Sequence, residues 1–399
     1  MKKEFDNDTI VPAICCIGYN RPKSMRRLLQ SVGGAFYDNS NITLIISIDE
    51  SPQSNEVEQA AKNFEWTHGE KIILRYPKRM GLKQHCIKCG DLSEKYGALI
   101  FLEDDVVVAP GFYRYAKEAV NYYKDDPNVF AVSLYSIKYN QGIAYDFIPA
   151  HNGSDTYFLR GELSHGHCWI GERWKKFREW AKDNEETVLK YNKDMPLTVY
   201  SWSPKTSWSR YVMFYLLETD TYYVSPYHSY ATNMSEVGVH ASKTTDVCQI
   251  PLTESTQRIF KFSEFQGGVV YDAFLERMDR FIPSVLGVDI EKICLDLNGL
   301  RHDWTGYDYL LTVKSLPYQL VGSFGINMEP VENNVVFQCE GDSIKLYKIP
   351  DDYRAEHIVK KKLPTSINEG RVAHLLNKYP SKMLFKSIML RIKSRMSKK

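Results

Sequence analysis

Between residues 11 and 135, short apolar runs of strand length alternate with stretches whose apolar residues recur at helical spacing. Ala13-Ile-Cys-Cys-Ile17 reads as a buried strand. The turn residues Tyr19-Asn-Arg-Pro22 follow, and then Met25, Leu28, Leu29 and Val32 share one helical face. Leu44-Ile-Ile-Ser-Ile48 is a second strand, ending at Asp49-Glu-Ser-Pro52. Residues 56–64 read as a short helix, 72–76 as a third strand, 83–96 as a helix and 98–102 as a fourth strand. Pro110 opens a helix whose apolar positions 112, 115, 116, 119, 120 and 123 fall together, and 129–134 is again a strand. Such alternation predicts an α/β fold with a doubly wound, mostly parallel sheet. Ligands of such sheets bind at the carboxyl ends of the strands.

The regular pattern stops near residue 150. Residues 150–245 are irregular and carry Trp169, Trp174, Trp180, Trp202 and Trp208. Beyond 246, strand-like pieces at 292–297, 309–313, 334–339 and 343–347 are separated by Gly, Asn and Asp turns, which predicts a small β-rich domain. In the tail, Phe385, Ile388, Met389, Ile392 and Met396 fall on one helical face. The expected organisation is a first domain over 1–245, a β-rich accessory domain over 246–360 and a basic amphipathic tail over 361–399.

Composition alters this picture at the tail. The chain has 399 residues and a net charge of +2, but Arg371 to Lys399 holds nine Lys/Arg and no Asp or Glu. The remainder has 42 basic against 49 acidic residues and is net negative. A basic amphipathic helix of this kind suits an anionic membrane surface, with docking on the protein's own acidic body as the alternative. No nucleic-acid partner is expected. There is no apolar stretch of 18 residues, and the first residues lack the apolar core of a secretory signal, so a cytoplasmic, peripheral location on the inner face of the plasma membrane is expected. The eight Cys show no disulfide framework and read as reduced core thiols. Cys86 and Cys89 form a C-x-x-C within a helix, with no second pair nearby to make a zinc site. The 27 Tyr and 7 Trp suit either sugar-binding clefts or cores.

The strongest chemical signal is Glu103-Asp104-Asp105, three carboxylates at the end of the apolar run 98–102. Adjacent acids repel one another and resist desolvation, so a divalent cation, Mg²⁺ or Mn²⁺, is the simplest reason for them. A solvated acidic turn is the alternative.

Four segments in register carry a resemblance to a known family. They are Tyr19-Asn-Arg-Pro-x-x-Met-Arg-Arg-Leu-Leu29, Ile45-Ile-Ser-Ile-Asp-Glu-Ser51, Glu103-Asp-Asp-Val-Val-Val-Ala-Pro-Gly-Phe112 and Pro127-Asn-Val-Phe-Ala-Val-Ser-Leu-Tyr-Ser136. In these the first 240 or so residues resemble GT-A glycosyltransferases, and most closely the N-acetylglucosaminyltransferase I family and its bacterial relatives. The resemblance implies Mn²⁺-dependent transfer of a sugar from a UDP-sugar to a hydroxyl with inversion. It implies Asp105 as direct metal ligand, Asp104 reaching the ribose or sugar, Arg21 near the phosphates and Asp49 on the uracil. His240, in Gly-Val-His-Ala, matches a family Gly-x-x-His and would add a metal or phosphate contact. Lys83 and His85 would line the donor pocket.

The chain departs from the family at one point. Bacterial relatives place the catalytic base as the Asp of a Trp-Asp pair, and here Trp208 is followed by Ser209. Serine is no general base at neutral pH. Glu162 is the preferred substitute, with an ion pair to Arg160 as its bland alternative, and Glu218 and Asp220 are lesser candidates. The expected function is a UDP-sugar-dependent transferase acting on a lipid-linked saccharide for a bacterial surface polysaccharide, with Trp169 and its neighbours holding the acceptor. A catalytically silent sugar-binding or scaffold protein is the alternative. A nucleotidyltransferase is disfavoured, because Gly18-Tyr-Asn-Arg-Pro22 stands where a Gly-rich phosphate loop would be.

Overall fold

A computed structural model describes residues 9–38, 41–162, 164–237, 246–256, 259–278 and 281–355, with 382–383, 385–386 and 388–389 in the tail. The chain forms two compact units, Met1–Asn140 with Asp146–Asp279, and Gln141–Tyr145 with Arg280–Lys399.

The first unit begins with β1 (Ala13–Gly18), α1 (Pro22–Gly33), β2 (Leu44–Ile48), α2 (Ser54–Asn63), β3 (Lys71–Arg75), α3 (Leu82–Gly90), α4 (Leu92–Tyr96) and β4 (Ala98–Glu103). The helix expected over 83–96 is thus two helices that meet at Asp91. The Asp91 carboxylate accepts from Trp174 Nε1 at 2.9 Å and Arg178 Nε at 2.7 Å. Next come β5 (Val106–Val108), α5 (Phe112–Tyr123), β6 (Val129–Ser133), and the short β7 (Tyr139–Asn140) and β8 (Tyr145–Asp146). The chain continues through β9 (Thr156–Leu159), β10 (His167–Ile170), α6 (Gly171–Asp183), α7 (Leu197–Ser201), α8 (Ser209–Glu218), β11 (Tyr222–Pro226), β12 (Ala231–Asn233) and β13 (Val270–Tyr271).

Nine of these strands make one mixed, mostly parallel sheet in the order β13-β9-β11-β6-β10-β4-β1-β2-β3. Strand β10 runs antiparallel between β4 and β6. Alternate residues of β1 serve two cores, as the two-residue period of a strand requires. Ile14 and Cys16 pack with Leu28, Leu44 and Phe112, whereas Ala13, Cys15 and Ile17 pack with Trp169, Trp174 and Phe214. Both faces are covered, which is why these strands read as unbroken apolar runs. Each fully buried Leu or Ile here contributes about 1.5–3 kcal/mol.

Two expectations change. Residues 246–278 belong to the first unit, since Val270 and Tyr271 pair with Phe158 and Leu159 of β9. The tryptophans at 169, 174 and 208 are core. Trp169 is wholly buried and stacks on Phe101 at 4.6 Å and on Trp174 at 4.3 Å, so it offers no platform to an acceptor.

The second unit contains α9 (Phe281–Leu286), β14 (Ile293–Asp296), β15 (Tyr309–Thr312), β16 (Gln319–Phe324), α10 (Asn333–Val336) and β17 (Ile344–Lys348). Its four strands are ordered β14-β15-β17-β16 over a core of Ile293, Leu295, Leu311, Val335, Ile344 and Leu346. The strand expected over 334–339 is instead a helical turn. The buried Asn334 side chain accepts from Asn327 N at 2.6 Å and donates to Val331 O at 2.9 Å, which holds the chain coiled. In the tail, Lys382, Met383, Phe385, Lys386, Ile388 and Met389 are helical and exposed. The rest of the expected tail lies outside the described residues. No helix among the described residues is long and apolar enough to cross a membrane.

Candidate active site

The parallel strands β1, β2 and β4 end level with one another. Gly18 of β1 pairs with Ile48 of β2, and Ile17 pairs with Glu103 of β4. From β1 the chain winds outward through β2 and β3, whereas β4 lies on the other flank of β1. The crevice between β1 and β4 is therefore the place where strand order reverses, the usual ligand position in such sheets. An open cleft lies there, lined by Tyr19, Arg21, Asp49, Arg79, Gly81, His85, Glu103, Asp104, Asp105 and Glu236 among others. The sequence-predicted Arg21, Asp49, His85, Asp104 and Asp105 thus share one wall system.

The acids are crowded, and Arg21 bridges two of them. Arg21 Nη2 bonds Asp104 Oδ1 and, at 3.2 Å, Asp105 Oδ2, while its Nε donates to Asp104 Oδ2 at 3.3 Å. Burial pushes the Asp104 carboxyl up to about 6, although the Arg21 charge pulls the other way. Burial also drives Glu103 well above the carboxylate range, reinforced by Asp105, Asp104 and Glu162. Burial opposes the Arg21 charge, but Asp104 and Asp105 outweigh it and hold the guanidinium above its ordinary value. One arginine does not compensate both Asp104 and Asp105, so the site favours additional positive charge.

Asp105 is aimed by a partner that sequence reading missed. Asn233, at the end of β12, donates from Nδ2 to Asp105 Oδ1 at 3.1 Å, and Met234 N donates to the Asp105 carbonyl at 2.8 Å. Strand β12 reaches this place by pairing with β5, a contact 125 residues apart in sequence. Glu236, three residues on, accepts both Arg27 terminal nitrogens at 2.8 Å and the Ser24 hydroxyl at 2.7 Å. The Arg27 bond holds the Glu236 carboxyl down at about 2. No local motif marks Asn233 or Glu236.

A divalent cation fits this donor set. Asp105 presents carboxylate oxygen at the cleft, beside Asp104. Mg²⁺ and Mn²⁺ on nucleotides are held by one or two carboxylates, with phosphate and water completing the shell. Among the described residues no group of three or more His, Cys, Asp or Glu is placed to hold a metal ion, so any cation here would depend on phosphate and water for most of its shell. His240, the second expected ligand, lies outside the described residues.

The remaining expectations are placed as follows. The Asp49 carboxylate is buried and accepts three backbone N–H groups, from Glu50 at 2.9 Å, Met80 at 2.8 Å and Gly81 at 2.9 Å. His85 Nε2 lies 2.7 Å from Ser47 Oγ, with its ring edge-on to Tyr76. Lys83 is off the cleft wall. Its Nζ donates to Pro204 O at 3.0 Å and sits 3.7 Å over the Tyr211 ring. Cys86 and Cys89 are buried free thiols, with Cys89 donating to Ser47 Oγ at 3.3 Å.

Glu162 has a side chain only 2% exposed, with Oε1 3.2 Å from His167 Nε2. Ser164 Oγ donates to Glu162 Oε1 at 3.1 Å and lies 3.4 Å from Ser209 Oγ. Arg160 pairs with Asp220, not with Glu162. Asp220 is thereby engaged and 80% exposed, and Glu218 accepts from Trp180 Nε1 at 2.9 Å, so neither joins the Glu162 cluster.

No family model matches the chain, and no curated protein matches it. Among solved structures, S. aureus TarS 1-349 in complex with UDP-GlcNAc is 11% identical, over 57% of this chain and 60% of that chain, with a TM-score of 0.37. The mannosyltransferase PcManGT from Pyrobaculum calidifontis, in complex with GDP-Man and Mn²⁺, is 12% identical over 44% of this chain and 50% of that chain, at 0.31. Mouse xyloside xylosyltransferase 1, in its apo form, is 10% identical over 53% and 83% of the two chains, at 0.35. This chain spans less than two thirds of the length of the first two, and no residue role is transferred from any of them.

Proposed function

We propose that the first unit is a GT-A-type glycosyltransferase that moves a sugar from a UDP-sugar to a saccharide hydroxyl. The observation that carries this reading is the cleft at the β1–β4 switch point, where Asp104 and Asp105 stand under-compensated beside Arg21. In this reading Asp105, turned by Asn233, holds Mn²⁺ or Mg²⁺, and Asp104 lies toward the ribose and sugar. Such a cation would supply Lewis-acid stabilisation of the leaving diphosphate.

With inversion, the acceptor oxygen attacks the anomeric carbon, the carbon–oxygen bond to the diphosphate breaks, and the acceptor proton needs a base. Glu162 is proposed for that proton. Its burial requires a relay, and the hydroxyls of Ser164 and Ser209 supply one toward the place where relatives carry an aspartate. The acceptor is proposed to be a lipid-linked saccharide in bacterial surface polysaccharide synthesis, with the basic tail on the cytoplasmic membrane face. Exposure of Met383, Phe385, Ile388 and Met389 between 40% and 67% supports that part.

Ser209 favours a second reading, a frame that binds nucleotide sugar without turnover. Thermal shift and UDP release with a panel of UDP-sugars and saccharide acceptors, with and without Mn²⁺, separate the two. Donor-dependent UDP release supports transfer, and metal-dependent binding with no release for any pair supports the silent frame. Absence of nucleotide binding removes both.

A further inference from the structure

We propose that Arg79 is the cation that meets the donor's diphosphate, and that Asp49 acts as its positioning residue instead of reading the base. This rests on the nucleotide-sugar reading above and names the residues that perform its binding step.

Two arginines line the cleft. Arg21 is committed, with three hydrogen bonds to Asp104 and Asp105. To bind phosphate through the same edge it would have to abandon two carboxylates in a buried setting. Arg79 stands on another part of the wall, is exposed, and has no carboxylate or hydrogen-bond partner among the described residues. Its guanidinium carbon lies over the Tyr19 ring, 5.1 Å from the ring centroid. A planar guanidinium resting on an aromatic face keeps its donor edges free, and those edges match phosphate oxygens two at a time.

The loop that carries Arg79 is built around the buried acid. Asp49 binds the N–H groups of Met80 and Gly81, the two residues after Arg79, and that of Glu50. Gly81 has φ of 80°, a conformation that other L residues rarely adopt. A carboxylate at the end of β2 thus dictates the path of residues 79–81 across the cleft rim. Three N–H bonds also use most of the acceptor capacity that Asp49 would otherwise offer a nucleobase.

The test compares UDP with uridine by ligand-observed NMR titration in the presence of Mg²⁺, using wild type, Arg79→Met, Arg79→Lys and Asp49→Asn. Arg79 is exposed, so its variants should fold. Arg79→Met is expected to weaken UDP about tenfold to a hundredfold while uridine binding stays within about twofold. Arg79→Lys should recover part of the loss. Asp49→Asn should weaken UDP and add little further in the Arg79→Met background, as expected for one residue acting through another. UDP affinity unchanged in Arg79→Met overturns the proposal, as does an equal loss for uridine, which would put Arg79 on the base. Failure of the wild type to bind UDP removes the donor reading itself, and the proposal with it.

Discussion

Replacing Asp104 with Asn should abolish nucleotide binding and make the ligand-free protein more stable, with a gain that depends on pH. Asp104 is buried, and its carboxyl is pushed from 3.8 up to about 6, because burial outweighs the Arg21 charge. The sign follows from linkage. A carboxyl with a raised folded value binds more protons in the folded state than in the unfolded state between those two values. Its ionisation therefore destabilises the fold progressively as pH rises from about 4 to above 6. The shift of roughly two units corresponds to about 3 kcal/mol at pH 8 and about 1 kcal/mol at pH 4.5. Asparagine keeps the shape and removes the charge, but its amide faces the Arg21 guanidinium and gives back about 1 kcal/mol. The expected net gain is about 2 kcal/mol at pH 8 and near zero at pH 4.5. Urea unfolding of both proteins at the two pH values measures it. Equal or lower stability of Asp104→Asn at pH 8, or a gain that does not change with pH, would refute the view that the acid is held charged at a cost for function.

Glu162→Gln should lower kcat by about a hundredfold or more, and adding Ser209→Asp should return at least tenfold of it, read by UDP release. Undiminished turnover in Glu162→Gln would exclude it as the base. Gly90→Ala should destabilise the first unit by about 1–3 kcal/mol in a denaturant titration, since the new methyl meets the buried Trp174 ring. That sign is opposite to the usual gain for this change within a helix, so a stabilised variant would contradict the close approach of Gly90 to the Trp174 ring. The 399-residue chain should co-sediment with anionic vesicles and not with neutral ones, and should lose this in about 0.5 M salt or when residues 371–399 are removed. Equal binding to neutral vesicles would contradict the electrostatic part of the tail proposal.

The first half of the large sheet was legible because strands covered on both faces leave continuous apolar runs, and β1, β2, β4 and β6 are of that kind, while the half-buried edge strand β3 still carries a short apolar run. The acid triplet was legible because consecutive carboxylates at a strand end are conspicuous. Strands β9 and β10 were not, since each is four residues long and β10 joins the sheet only through the distant β4 and β6. The tryptophans at 169, 174 and 208 misled, because an aromatic-rich segment looks the same whether its rings fill a core or face a sugar. Asn233 and Glu236 were invisible for a topological reason: nothing local tells that β12 will pair with β5. Asp49 was expected on the uracil, and its three backbone partners emerge only when the 79–81 loop is folded over it. In the second unit, Asn334 decides between strand and helical turn through side-chain bonds that propensity does not encode.

In the proposed function the carboxylates at the end of β4 carry a divalent cation for a nucleoside diphosphate. Isothermal titration of UDP into the protein with Mn²⁺, and again with excess EDTA, tests it most directly, with Asp105→Ala as the paired variant. Binding that requires the metal and is lost in Asp105→Ala is the expected result. UDP binding of equal strength with EDTA, or retained in full by Asp105→Ala, would contradict it.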